Sequence, residues 1–205
     1  MENYNILPQT IYKFYCDQKI LDKSLEHIKN IDYKDMEFNS CSKDRMINNH
    51  RELNELHNWF QSCVNEVTHD LNFKDQLTIT QSWSTRSTSG QWHHPHIHQY
   101  SIISGVFYLT DSNAETCFSI PSIWELPNIF CHSIDRDNTK IDHRNKTEKG
   151  CLIIFPSSLP HYVNEHYDSD PRYIVSFNTF FNGSMGNLNN FAGANLKIIK
   201  HELYS

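Results

Sequence analysis

Glycine is scarce in this chain, with 6 residues in 205, and no GxGxxG, Walker A loop or GxSxG occurs. Folds that cradle nucleotides on glycine-rich turns, and hydrolases built on a nucleophile elbow, therefore have no support in the sequence. No apolar run of about 18 residues is present to form a membrane-spanning helix. Basic residues do not cluster, and a formal net charge of -6 with a pI near 6.1 offers nothing to a nucleic-acid backbone or an anionic lipid surface. The six cysteines (Cys16, Cys41, Cys63, Cys117, Cys131, Cys151) form no CxxC pair, which argues against a zinc ribbon or a thioredoxin-type centre. The opening MENYNILPQT has no basic stretch followed by an apolar one, so a cytoplasmic protein with free thiols is expected. In that compartment the sequons at Asn145 and Asn182 are chance matches.

What is present fits one well-buried domain spanning residues 1–205, with 38% hydrophobic and 20% charged residues. Residues 1–73 are expected to be helical, with one amphipathic helix over 14–31 and a clearer one over 48–71, separated by a polar loop at 37–46. In the second helix Leu53, Leu56, Trp59, Phe60, Val64, Val67 and Leu71 make a single apolar stripe. After residue 73 the period falls from near 3.6 to 2, and strands are expected at 77–86, 101–110, 151–156 and 172–181. Strands that follow one another without helices favour an antiparallel sandwich or barrel. The fold class is therefore mainly β with flanking helices (α+β), the core lying within 75–190. Residues 111–149 contain short apolar pieces (TCFSI, SIWEL, IFC), and 135–149 reads as a mobile excursion. LKIIKHEL near the C-terminus reads as a closing strand at a sheet edge.

The stretch QWHHPHIHQYS places four histidines within six positions, 93–98. On a regular strand His94, His96 and His98 share one face, while His93 and Ile97 share the other. Residues two apart lie roughly 6.5 to 7 Å apart, close enough for two imidazoles to meet on one metal. A partner ligand must come from another strand, and FPSSLPHYV supplies His161 just past a buried run. Arg172 heads the next apolar run, RYIVSFNTF. A guanidinium there needs an anion, either a carboxylate ligand or a neighbouring Asp168 or Asp170.

Three fragments in this order, PHIHQYSIISGVFYL, FPSSLPHYV and RYIVSFNTF, resemble the short, mostly uncharacterised branch of the 2-oxoglutarate and Fe(II)-dependent oxygenases, over roughly residues 75–190. The resemblance implies a double-stranded β-helix, a jelly-roll and cupin-like architecture with the helices packed on the sheet. It implies Fe(II) held by His96, His98 and His161, and 2-oxoglutarate held at its far carboxylate by Arg172 and Tyr108. Ser176, on the face of Arg172, adds a hydroxyl, and Asn178 continues that face. The implied reaction hydroxylates a substrate and releases succinate and CO₂.

The wider superfamily uses two histidines and a carboxylate, whereas His98 stands here at the carboxylate's position. Either three imidazoles bind the metal, or a carboxylate such as Asp111 comes from elsewhere, or His94 serves in place of His98. Imidazoles bind metals when neutral, so affinity is expected to fall below a pH of about 6.5. Trp83, Trp92 and Tyr100 flank the motif as a candidate stacking surface for a small-molecule or peptide substrate. Two other classes remain: a three-histidine cupin-like dioxygenase working without 2-oxoglutarate, and a non-catalytic jelly-roll module.

Overall fold

The computed structural model describes residues 9–119, 142–187 and 192–198. The chain opens with strand β1 (Tyr12–Tyr15) and helix α1 (Gln18–Lys29), whose first turn is capped by the Asp17 carboxylate accepting from Lys19 N at 2.8 Å. Two short strands, β2 (Tyr33–Asp35) and β3 (Ser40–Ser42), lead through two 3₁₀ turns into α2 (Asn54–Asp70). Ten further strands follow: β4 (Leu77–Ser87), β5 (His93–His96), β6 (Ile103–Tyr108), β7 (Ser112–Ser119), β8 (Asp142–Thr147), β9 (Cys151–Pro156), β10 (His161–Val163), β11 (Arg172–Phe181), β12 (Gly183–Asn187) and β13 (Ala192–Leu196).

A seven-stranded sheet in the order β1-β9-β6-β11-β4-β3-β2 and a four-stranded sheet β5-β10-β7-β8 carry the site, while β12 and β13 pair apart from them. The strand pairs are antiparallel. Period 2 divides the large sheet between two cores. Phe107, Leu152, Ile154, Val175 and Phe177 pack with Leu21 and Ile28 of α1 and with Leu56, Phe60, Val64 and Val67 of α2. The alternate residues Val106, Tyr108, Ile153, Phe155 and Ile174 turn the other way and pack with Phe118 of the small sheet. The helices thus cover one face of the large sheet, and its other face is left for the pocket.

Two positions explain their residue types. Phe177 lays its ring on Gly105 in the middle of β6, and a Cβ there would collide with that ring, which is itself enclosed by Phe60 at 5.1 Å between centroids. Gly105→Ala is expected to cost about 1–3 kcal/mol, read as a lowered urea midpoint at unchanged slope. His57, in the buried stripe of α2, donates Nδ1–H to Leu53 O (3.1 Å) and accepts from Ser82 Oγ (3.1 Å), tying helix to β4. Burial pushes its pKa from 6.5 down to about 4. Below pH 6.5 the unfolded chain takes a proton that the folded chain refuses until pH 4, so stability falls on acidification across that window. The loss should total about 3 kcal/mol and be smaller in His57→Gln, checked by urea unfolding at several pH values.

Several boundaries differ from the sequence expectation. Tyr12–Tyr15 is a strand, so the first helix begins at Gln18, and the second becomes α-helical at Asn54 after 3₁₀ turns. The expected loop at 37–46 contains β3, which is buried and paired with β4. Residues 142–147 of the expected excursion form β8, paired with β7. SIWEL, IFC, Cys131 and residues 135–141 of that excursion lie outside the described residues, as does the end of the expected closing strand; its start, Leu196, pairs with Gly183. No helix among the described residues is long and apolar enough to cross a membrane.

Candidate active site

β10 lies beside β5 and sets His161 directly opposite His96. His98 follows β5, its backbone N–H held by Ser157 O at 2.9 Å. The three rings stand close, with centroids 4.3 Å apart for His96 and His161, 5.0 Å for His98 and His161, and 5.3 Å for His96 and His98. One ring nitrogen from each lies within 4.8 Å of the others.

Which nitrogens converge follows from the hydrogen bonds. His96 Nδ1–H donates to His94 O (2.8 Å) and His161 Nδ1–H to Leu159 O (2.9 Å), both acceptors without alternative. His98 Nδ1 faces Asn178 Oδ1 at 2.6 Å, with the amide nitrogen of Asn178 turned to Gln81 Oε1 and Ser104 Oγ donating to the same Oδ1 at 3.0 Å. All three rings therefore carry their proton on Nδ1 and leave Nε2 with a lone pair. Burial lowers all three pKa values, that of His161 to about 3, where the neighbouring His96 adds to the effect. Burial thus favours the neutral form of all three rings more than in free imidazoles. Removing an outer partner of a metal ligand costs roughly 10- to 100-fold in affinity. Asn178→Ala should weaken metal binding by about that factor, with Asn178→Asp restoring it, as measured by competition with a chelating dye.

The expected alternatives separate on geometry. His94 is exposed, stacks on His93 and gives its carbonyl to His96. Asp111 accepts from Lys149 N at 2.8 Å, and among the described residues the imidazole cluster includes no carboxylate.

Arg172 is 2% exposed at the start of β11, where period 2 sets it on one face with Ile174, Ser176 and Asn178. Its Nε points to Thr147 Oγ1 at 3.4 Å, its guanidinium lies 5.5 Å from the centre of the Tyr108 ring, and one terminal nitrogen is buried with no partner. None of the ion pairs among the described residues includes it; Asp168 pairs with His166 instead. A buried guanidinium with an unmet N–H is costly unless an anion meets it, so this cradle suits a carboxylate. Tyr108, fully buried, donates its hydroxyl to Thr116 Oγ1 (2.8 Å) and accepts from Asn145 Nδ2 (3.2 Å). Asn145 and Thr147, the two ends of a sequon, are both interior.

Triad and guanidinium share a pocket of about 540 Å³ that opens to solvent, with Ser176, Trp83 and Trp92 also in its wall. Tyr100, by contrast, is 90% exposed and not part of that wall. His93 does line it, against the expectation from strand alternation. Between His161 and Val163 the partner strand spans His96 to His93, one residue more, and this bulge returns His93 to the face of His96. Its ring centroid lies 4.5 Å from that of His96, and Asn39 reaches its Nδ1 at 2.7 Å. Sequence reasoning missed His93 and Asn39, because nothing in HHPH signals an inserted residue.

The two sheets, with a histidine cluster and a buried arginine between them, define a jelly-roll fold of the double-stranded β-helix class. Residues 81–178, the segment that carries His96, His98, His161 and Arg172, match the family described as "Putative 2OG-Fe(II) oxygenase", and over that segment the chain is similar to the 2OG-Fe(II) oxygenases. Fe(II) and 2-oxoglutarate are the cofactor and cosubstrate of that family. The fold is similar to that of HygX from Streptomyces hygroscopicus, solved with nickel and 2-oxoglutarate bound (9% identity, 83% of this chain and 82% of that one, TM-score 0.64). It is similar also to a Pseudomonas putida prolyl-4-hydroxylase (9% identity, 84% and 92%, TM-score 0.58). A third similar structure is a Trichoplax adhaerens prolyl hydroxylase in complex with a hypoxia inducible factor peptide (13% identity, 84% and 83%, TM-score 0.59). No curated protein matches the sequence.

Proposed function

We propose that this protein is an Fe(II)- and 2-oxoglutarate-dependent dioxygenase that hydroxylates a small-molecule or peptide substrate. The observation that carries the reading is a pair of unmet demands in one pocket: three Nε2 lone pairs that converge, and a buried guanidinium N–H without an acceptor. His96, His98 and His161 would hold the metal. Arg172, with Ser176 beside it, would hold the far carboxylate of 2-oxoglutarate. Bound there, the metal and cosubstrate supply the oxidising chemistry: O₂ and 2-oxoglutarate give succinate and CO₂, and one oxygen atom enters a C–H bond of the substrate.

The chain's own part is positioning. Tyr108 and Thr147 fix the guanidinium, while Asn178, Leu159 O and His94 O fix the three rings. Val106, Val163 and Ile174 keep the inner wall apolar, which limits water beside the reacting centre. The all-histidine cluster favours a second reading, a metal dioxygenase that binds substrate directly with Arg172 as its clamp. Succinate released in step with O₂ uptake on adding Fe(II) and 2-oxoglutarate supports the first reading. O₂ uptake that does not depend on 2-oxoglutarate selects the second.

A further inference from the structure

His93 carries its proton the other way round from the triad. Asn39 Nδ2 lies 2.7 Å from His93 Nδ1 and also 3.4 Å from the carbonyl oxygen of Trp92, an atom that can only accept. The amide nitrogen therefore faces the ring, Nδ1 is the acceptor, and the imidazole proton sits on Nε2. The brace is buried: Asn39 is 4% exposed. It comes from beside β3, outside the segment 81–178 matched by the family. His93 is also not among the residues whose ring nitrogens lie within 4.8 Å of one another, although it lines the same pocket.

A pocket donor that is not a metal ligand asks for an acceptor. We propose that His93 is a substrate-recognition residue, its Nε2–H donating to a carbonyl or carboxylate oxygen of the molecule to be oxidised. Such a substrate is neutral or anionic, and a cationic amine is refused. Among the described residues no Asp or Glu lines the pocket, so an ammonium group would find Arg172 and imidazoles but no counter-charge. Trp83 and Trp92 offer flat apolar surface for the rest of the molecule, and Phe38 backs Trp92 at 4.5 Å between ring centres. The inference rests on the oxygenase reading, in which 2-oxoglutarate occupies Arg172 and leaves His93 to the substrate.

The test uses the full chain loaded with redox-inert Zn(II) and 2-oxoglutarate. Benzamide, benzoate and benzylammonium are titrated while histidine side-chain ¹H–¹⁵N spectra and tryptophan fluorescence are recorded. His93 should show a protonated Nε2, shifted by benzamide and benzoate and untouched by benzylammonium. His93→Phe, and Asn39→Ala as an independent variant that frees the ring to change tautomer, should each weaken both probes, the first about tenfold. A zinc-bound shift at His93 Nε2 would make it a fourth ligand and overturn the inference. So would probe affinities indifferent to both variants, or benzylammonium binding as tightly as benzamide. If 2-oxoglutarate itself does not bind the zinc protein, the oxygenase reading fails and the inference falls with it.

Discussion

Arg172→Met should weaken 2-oxoglutarate binding by roughly 30-fold or more while leaving the unliganded protein as stable as before, or more stable. The guanidinium is buried with one nitrogen unpaired and no carboxylate partner among the described residues. Methionine of similar length removes an unmet polar group from the interior, which costs nothing and can raise stability. The bound state behaves in the opposite way. Losing one side of a buried charged pair costs 2–5 kcal/mol or more by general measure, which corresponds to roughly 30-fold to several-thousand-fold in affinity. Thermal unfolding with and without 2-oxoglutarate, in the Zn(II) form, reads both effects at once. The wild type should gain about 2.7 kcal/mol at a ligand concentration 100 times its Kd, and the variant less than about 1 kcal/mol at the same concentration. If the variant is instead strongly destabilised without ligand, Arg172 has a structural partner and the carboxylate cradle is the wrong account.

The second large effect concerns the triad. His161 is the best enclosed of the three rings, 3% exposed, and it faces both His96 and His98. His161→Ala should lower metal affinity by more than about 100-fold, since losing an outer partner alone costs roughly 10- to 100-fold. His94→Ala, which removes an exposed ring but keeps the carbonyl that holds His96, should leave affinity within a few-fold. Calorimetric titration with Zn(II) or Co(II) compares the two. Equal losses would mean that the four-histidine stretch binds metal as a flexible group and not through three fixed nitrogens.

The parts of the site that were legible in the sequence are those that follow strand period. From Arg172, counting by two reaches Ile174, Ser176 and Asn178 on the pocket face, and the residues between them, Val175 and Phe177, turn to the helix face, as the two cores bear out. The stripe of the second helix was legible for the same reason: its apolar residues had one face to bury. Pairing was not legible where composition gives no apolar face. DHRNKT reads as loop, yet it pairs with β7 and turns Asn145 and Thr147 inward, where the Asn145 amide nitrogen donates to Tyr108 and Thr147 accepts from Arg172. SCS is too short and polar to read as a strand, and β4 supplies its reason to be one. The bulge in β5 was hidden too. A register shift is a relation between two strands, so four residues of HHPH could not reveal that His93 returns to the face of His96.

In the function proposed, three imidazole nitrogens and one guanidinium together bind a metal and a keto acid. Anaerobic titration of the wild-type protein with Fe(II) and 2-oxoglutarate tests it most directly, followed through the weak visible charge-transfer absorption of a keto acid chelated to Fe(II). The absorption should appear only when both are present and saturate at one equivalent of each. Fe(II) binding with no such absorption would contradict the 2-oxoglutarate site, and no Fe(II) binding at all would make the histidine cluster a structural one.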